Sequence, residues 1–164
     1  MSSRAEPAGG GCPPANATAR TIAREARSES PLWGAALRAQ PEWEPVFSPL
    51  APDRYALGLE TVYEAYLVHY GRPRLFDPAE ESERVLLGDY LYAHGLVRVA
   101  EAGGVEAVAA MAELISRCAS LRAGGSPGEG AAWVDAARAL GGDPSPAAVA
   151  LALVRHAARA ELPD

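Results

Sequence analysis

Seven apolar side chains, Tyr55, Leu59, Val62, Tyr63, Tyr66, Leu67 and Tyr70, recur at steps of four, three, one, three, one and three. That rhythm holds them on one face of an α-helix and does not suit a strand, whose side chains alternate between faces. No stretch sustains an alternation of apolar and polar residues. The spacing therefore predicts an all-α fold, a helical bundle of five to seven helices. Core packing, with hydroxyls reaching the rim, is the plain reading of the tyrosine stripe.

Proline and glycine divide the chain. Residues 1–18 are rich in Pro, Gly, Ala and Ser and read as a flexible tail. Residues 19–29 form a short helix. Ser30-Pro31 reads as a cap and first turn of another helix, to about Ala39. Pro41, Pro45, Pro49 and Pro52 then forbid a helix, so Trp43, Val46, Phe47 and Leu50 lie on an extended arm pinned to the body by its aromatics. The tail, this 19–52 region and a helical domain over 53–164 make up the chain. Asp53 caps the tyrosine helix over 54–70, which ends at Gly71-Arg72-Pro73-Arg74. Asp77-Pro78-Ala79-Glu80 opens a helix to about Ala102, apolar nearly all round from Val85 to Val99 and so expected to be buried. Gly88 and Gly95, seven apart on it, share a face that admits a close neighbour. Gly103-Gly104 makes a turn, and helices follow over 105–123, 131–140 and 146–161. Short loops predict antiparallel neighbours.

The chain has 164 residues, enough for one domain. All 15 basic residues are arginine, the net charge is −6 and the pI is about 5.1, which argues against nucleic-acid binding. The opening residues lack the apolar stretch of a secretory signal. The longest apolar run, 147–154, is too short to span a bilayer, so a cytoplasmic location is expected. Cys12 and Cys118 read as plain thiols.

Ten residues carry possible ligand or partner chemistry: Glu60, Tyr63, Glu64, Tyr66, His69, Arg72, Arg74, Asp89, Tyr90 and His94. Glu64 and His69 are five apart, as are Asp89 and His94, so each pair points apart on its helix and provides no metal-ligand spacing. Glu60 and Glu64 share a face that suits a cation, although solvation is the simpler expectation. Arg72 and Arg74 suit an anion or, more simply, salt bridges to Glu80, Glu81 or Glu83. Asp89 and His94 interrupt an apolar helix, where a carboxylate needs a hydrogen bond. No catalytic set, metal or cofactor is expected from these residues.

Glu60-Thr-Val-Tyr-Glu-Ala-Tyr-Leu-Val-His69 and Leu87-Gly88-Asp89-Tyr90-Leu91-Tyr92-Ala93 together resemble the all-trans polyprenyl diphosphate synthase family. Ala112-Glu113-Leu114-Ile115 and the Gly124-Gly125 end fit its next helix, so the resemblance covers about residues 56–125. It implies a wholly helical isoprenyl-synthase-like core. Where that family carries the first metal-binding aspartates, this sequence has Tyr70 and Gly71; a second aspartate-rich motif and the Gly-Gly-Lys-Arg segment have no counterpart. The resemblance thus implies the scaffold without the catalytic centre, similar to the small subunit of two-component synthases. It implies a non-catalytic accessory subunit with a protein partner, and a structural Asp89 bonded within the bundle. The rival readings are a module binding an apolar chain along the tyrosine face, a helical interaction subunit of an unrelated complex, and an enzyme using Glu60, Glu64, His69 or His94.

Overall fold

The computed structural model describes residues 14–160. It contains six α-helices: α1 (Pro14–Glu29), α2 (Pro31–Ala35), α3 (Ala56–Tyr70), α4 (Glu81–Ala123), α5 (Glu129–Ala139) and α6 (Pro146–Arg159). Single 3-10 turns occupy Ser48–Leu50 and Asp53–Tyr55. No strand forms among the described residues; one isolated bridge joins Leu37 and Phe76. The fold is all-α.

Local signals set several helix ends. The Ser30 hydroxyl accepts from the Leu32 amide at 3.1 Å, and the Ser145 hydroxyl accepts from Ala148 at 3.2 Å. Each cap is followed by proline in the first turn, where the missing N–H costs nothing. Other boundaries differ from the sequence reading. α1 begins at Pro14, not residue 19, and the rest of the expected tail, with Cys12, lies outside the described residues. α2 stops at Ala35 because the next residues join the arm. Asp53 sits in a 3-10 turn, and no side-chain hydrogen bond caps α3. Asp77-Pro78 does not open a helix. The Asp77 amide is held by the Ala36 carbonyl at 2.7 Å, so α4 starts only at Glu81. The expected break at Gly103-Gly104 takes the form of a kink within α4, carried by Gly104 alone (φ 70°, ψ −159°), a conformation open to glycine.

α3 is the axis of the molecule. Every residue from Gly58 to Val68 is buried. On one side Ala65 and Val68 join a core with Ile22, Ala26, Trp33, Leu75, Phe76, Leu87 and Leu91. On the other, Leu59, Val62, Tyr63, Tyr66 and Leu67 join Phe47, Leu50, Met111, Leu114, Trp133 and Ala137. This reverses the expected order of burial. The 85–99 segment of α4 is not enclosed: Val85, Leu86 and Val97 are 44%, 57% and 54% exposed. An apolar pattern that runs all round a helix does not say which face meets solvent; here α3 takes one face of α4 and leaves the other open.

The arm threads along the loop after α3. The Arg38 amide donates to the Leu75 carbonyl at 2.8 Å and the Glu42 amide to the Arg74 carbonyl at 3.0 Å. Val46, Phe47 and Leu50 are buried, so the arm is pinned as its apolar residues suggested. This threading drives Arg74 into the interior. No described helix is long and apolar enough to cross a membrane.

Candidate functional site

Arg74 is 0% exposed, an exceptional position for a charged side chain. Its Nε donates to Glu64 Oε2 at 2.9 Å, and its Nη1 to Glu60 Oε2 at 2.5 Å and to the Glu44 carbonyl at 2.8 Å. Nη2 donates to the Glu60 carbonyl at 3.2 Å. The remaining carboxylate oxygens are also bound. Glu60 Oε1 accepts from the amides of Val46 and Ser48 at 3.1 and 3.0 Å, and Glu64 Oε1 accepts from the amides of Arg74 and Leu75 at 2.9 and 2.8 Å. Two carboxylates and one guanidinium carry a formal charge of −1, and the four backbone N–H dipoles offset the excess. Burial works against the guanidinium charge, but Glu60 and Glu64 outweigh it and hold the Arg74 pKa above its usual value. The Trp43 ring lies 4.1 Å from the guanidinium carbon and the Tyr63 ring 4.9 Å, so both aromatic faces see the cation.

An aromatic cluster adjoins this triad through Tyr63. Phe47 stacks on Trp133 at 5.1 Å, and Tyr63 meets Trp133 edge-on at 5.0 Å. The Tyr63 hydroxyl and His156 Nδ1 are 3.1 Å apart, both buried. Burial first, then the nearby Arg122 charge, pushes the His156 pKa down to about 4, so the ring is neutral near pH 7. Burial raises the Tyr63 hydroxyl above its usual range. Arg122 Nη2 donates to the Tyr66 hydroxyl at 2.9 Å and its Nε to Glu129 at 2.7 Å. Burial also raises Tyr66 and Tyr92, and pushes the Cys118 thiol up to about 12.

A third group sits where α3 ends beside α4. His69 Nε2 is 3.3 Å from Asp89 Oδ1, and its ring stacks on Tyr92 at 5.2 Å. Burial lowers the His69 pKa against the raising effect of Asp89. A Cβ on Gly88 would lie 2.3 Å from His69 Nε2, so only glycine admits this ring.

The chain matches no protein-family model, no curated protein and no solved structure.

The ten residues singled out in the sequence separate into distinct places. Glu60, Tyr63, Glu64 and Arg74 converge on one buried guanidinium. The expected solvated face of Glu60 and Glu64 is wrong: both are at most 1% exposed. The expected pairing of Arg74 with Glu80, Glu81 or Glu83 is also wrong, because the arm carries it to α3 instead. Arg72 donates to the Ala158 carbonyl at 2.6 Å and so ties the α3 end to α6. Tyr66 belongs to the aromatic cluster. His69 and Asp89 meet each other, across helices and not along them. Asp89 is an exposed partner of His69 (68% exposed side chain), so the expected hydrogen bond inside the bundle becomes a rim contact. Tyr90 stacks on Trp33 and on His94, and His94 Nε2 is 3.0 Å from Glu25 of α1. Arg98 pairs with the same Glu25 and donates to Thr61 at 3.1 Å.

Sequence reasoning passed over Trp43 as a cation partner, His156, Arg122 and Glu129. Trp43, His156 and Arg122 meet Arg74, Tyr63 and Tyr66 from far along the chain, and Arg122 meets Glu129 across the loop between α4 and α5, so no spacing within one helix marks them. Among the described residues, no group of three or more His, Cys, Asp or Glu side chains is placed to hold a metal ion. Chemically, the triad is a closed knot: each of its carboxylate oxygens and each guanidinium nitrogen has a partner within the fold.

Proposed function

We propose that the chain is a non-catalytic helical subunit that associates with a partner enzyme through the outer face of α4. The observation that carries this reading is the apolar stripe on that face. Leu86, Ala93, Val97 and Ala100 are all exposed at steps of seven, four and three, so they line up along one side of the helix. An uncovered stripe of this kind marks an interaction surface. The internal neutralisation of Glu60 and Glu64 by Arg74 supports the non-catalytic part, because these carboxylates are not free to bind a cation or move a proton.

The resemblance of residues 56–125 to polyprenyl diphosphate synthases makes such a synthase the first partner to test. The segments that carry the resemblance are α3 and the first half of α4, which pack directly on each other through Gly58, Gly88 and Gly95. The apolar-chain module is less well supported. The tyrosine face that would line its channel is filled by Phe47, Trp133 and His156.

The test is a tagged pull-down from the native host. A full-length polyprenyl diphosphate synthase in near-equal amount, lost with Leu86→Glu or Val97→Glu, supports the proposal. Condensation of prenyl diphosphates by the purified chain alone with magnesium overturns it.

A further inference from the structure

We propose that α6 is an acid-released latch: protonation of His156 frees this helix from the body while the other helices stay folded. α6 is lightly seated. Of its 14 residues only Ala152 and His156 are buried. Ala148 and Val149 pack partly against the core beside them, while Leu151 and Val154 are turned to solvent. Small side chains of this kind remove little apolar surface from water. The rest of the hold is polar. Arg155 pairs with Glu44 and Arg159 with Glu42, and Arg72 donates to the Ala158 carbonyl at 2.6 Å. The two ion pairs lie at the solvent rim, where such pairs contribute little. His156 is the side chain that reaches the interior.

The place His156 enters is built for a neutral ring. From α3 it meets Tyr63 and Tyr66, from the arm Phe47, and from α5 Trp133 and Gly130. The charge that bears on it is the Arg122 guanidinium of α4, of its own sign. Among the described residues no carboxylate pairs with it: Glu44 is held by Arg155 and Glu129 by Arg122. The neutral ring accepts from the Tyr63 hydroxyl at Nδ1. A charged ring has only donors, so the hydroxyl loses its acceptor and a cation is buried without a counterion. The other histidines, His69 and His94, pair with Asp89 and Glu25 and not with α6.

Leaving is possible without dismantling the bundle. The main neighbours of α6 are α5 and the Ser48–Leu50 turn, so its departure keeps the packing of α3 on α4. It uncovers the stacked Phe47 and Trp133 rings, now 0% and 1% exposed. Once α6 is out, His156 regains its ordinary proton affinity. With a docked pKa of about 4, the opening constant of α6 rises about twentyfold from about pH 7 to about pH 5. Helices opened in this way are the low-stability units of a fold. The device is independent of the α4 face.

The experiment is hydrogen exchange of the full chain at about pH 7 and about pH 5, read by mass spectrometry on peptides from α3 and α6 and corrected for the intrinsic rate at each pH. Protection of 146–159 falls about twentyfold on acidification, and α3 stays the better protected at both values. Anilinonaphthalene sulfonate, a dye for apolar surface, binds more strongly at the lower pH. In His156→Gln both changes are lost. Protection of α6 that does not change with pH overturns the proposal in the parent chain alone. So does α6 as well protected as α3 at the lower pH, which would mean that it opens only with the whole bundle. A fall that persists undiminished in His156→Gln overturns it as well.

Discussion

Gly58 of α3 and Gly95 of α4 lie against each other with reciprocal geometry: a Cβ added to either would stand 3.2 Å from the carbonyl oxygen of the other. The same Cβ on Gly95 would meet Val62 Cγ2 at 2.6 Å, and on Gly58 would meet Val99 Cγ2 at 2.8 Å. The two helices approach at backbone distance because neither carries a side chain there. Gly95→Ala gains about 1 kcal/mol of helix propensity. It must also push the helices apart, an overpacking cost of about 1–3 kcal/mol. A net loss of stability is expected in urea titration, and Gly58→Ala behaves alike. A stabilised Gly95→Ala protein would mean that the helices are not held this close.

Arg74→Met should be the most damaging single change in the polar interior. It leaves Glu60 and Glu64 buried without their cation, which costs about 3–5 kcal/mol. Arg74→Met combined with Glu60→Gln and Glu64→Gln removes the unpaired charges and recovers part of that loss. The check is the urea midpoint of the single and triple variants; equal midpoints would show that charge is not the cause.

His156 couples stability to pH. Its folded pKa is about 4, against an ordinary 6.5, so between these values the unfolded chain binds the proton and the folded chain does not. Stability therefore falls as pH drops from about 6.5 towards 4 and is fully retained above 6.5. At about 1.4 kcal/mol per pH unit the contribution reaches about 3 kcal/mol at the lower end. His69, shifted the same way by burial, adds to this slope. His156→Gln should flatten the stability profile between pH 6.5 and 4 relative to the parent.

Tyr63→Phe removes the hydroxyl from His156 Nδ1 and leaves a buried polar nitrogen unpaired. The expected cost is about 1–3 kcal/mol. In the His156→Phe background the same change should cost much less, because no partner is left orphaned. A double-mutant cycle measures the difference.

Cys118 is 1% exposed and its thiol is pushed up to about 12, so the reactive thiolate is scarce at neutral pH. In a Cys12→Ser background, a disulfide reagent should label the protein only as fast as it opens, and at once in denaturant. Rapid labelling of the native chain would contradict the burial.

The helices were legible because their signals are local. Ser30-Pro31 and Ser145-Pro146 act within one turn, and the tyrosine spacing is a property of α3 alone. Gly88 and Gly95 likewise announced a close neighbour by sharing a face. Those signals determine that this chain is helical and where most helices lie. They do not say which side of an apolar helix is covered, so the enclosed helix proved to be α3 and not the segment from 85 to 99. Nor do they say where a charge finds its partner. Arg74 stands beside acidic residues in the chain, yet its ligands are Glu60, Glu64 and the Glu44 carbonyl. The arm, paired against residues 74–77, carries the side chain inward to them. Burial and ion pairing depend on distances between segments remote in sequence, and those distances exist only once the chain has packed.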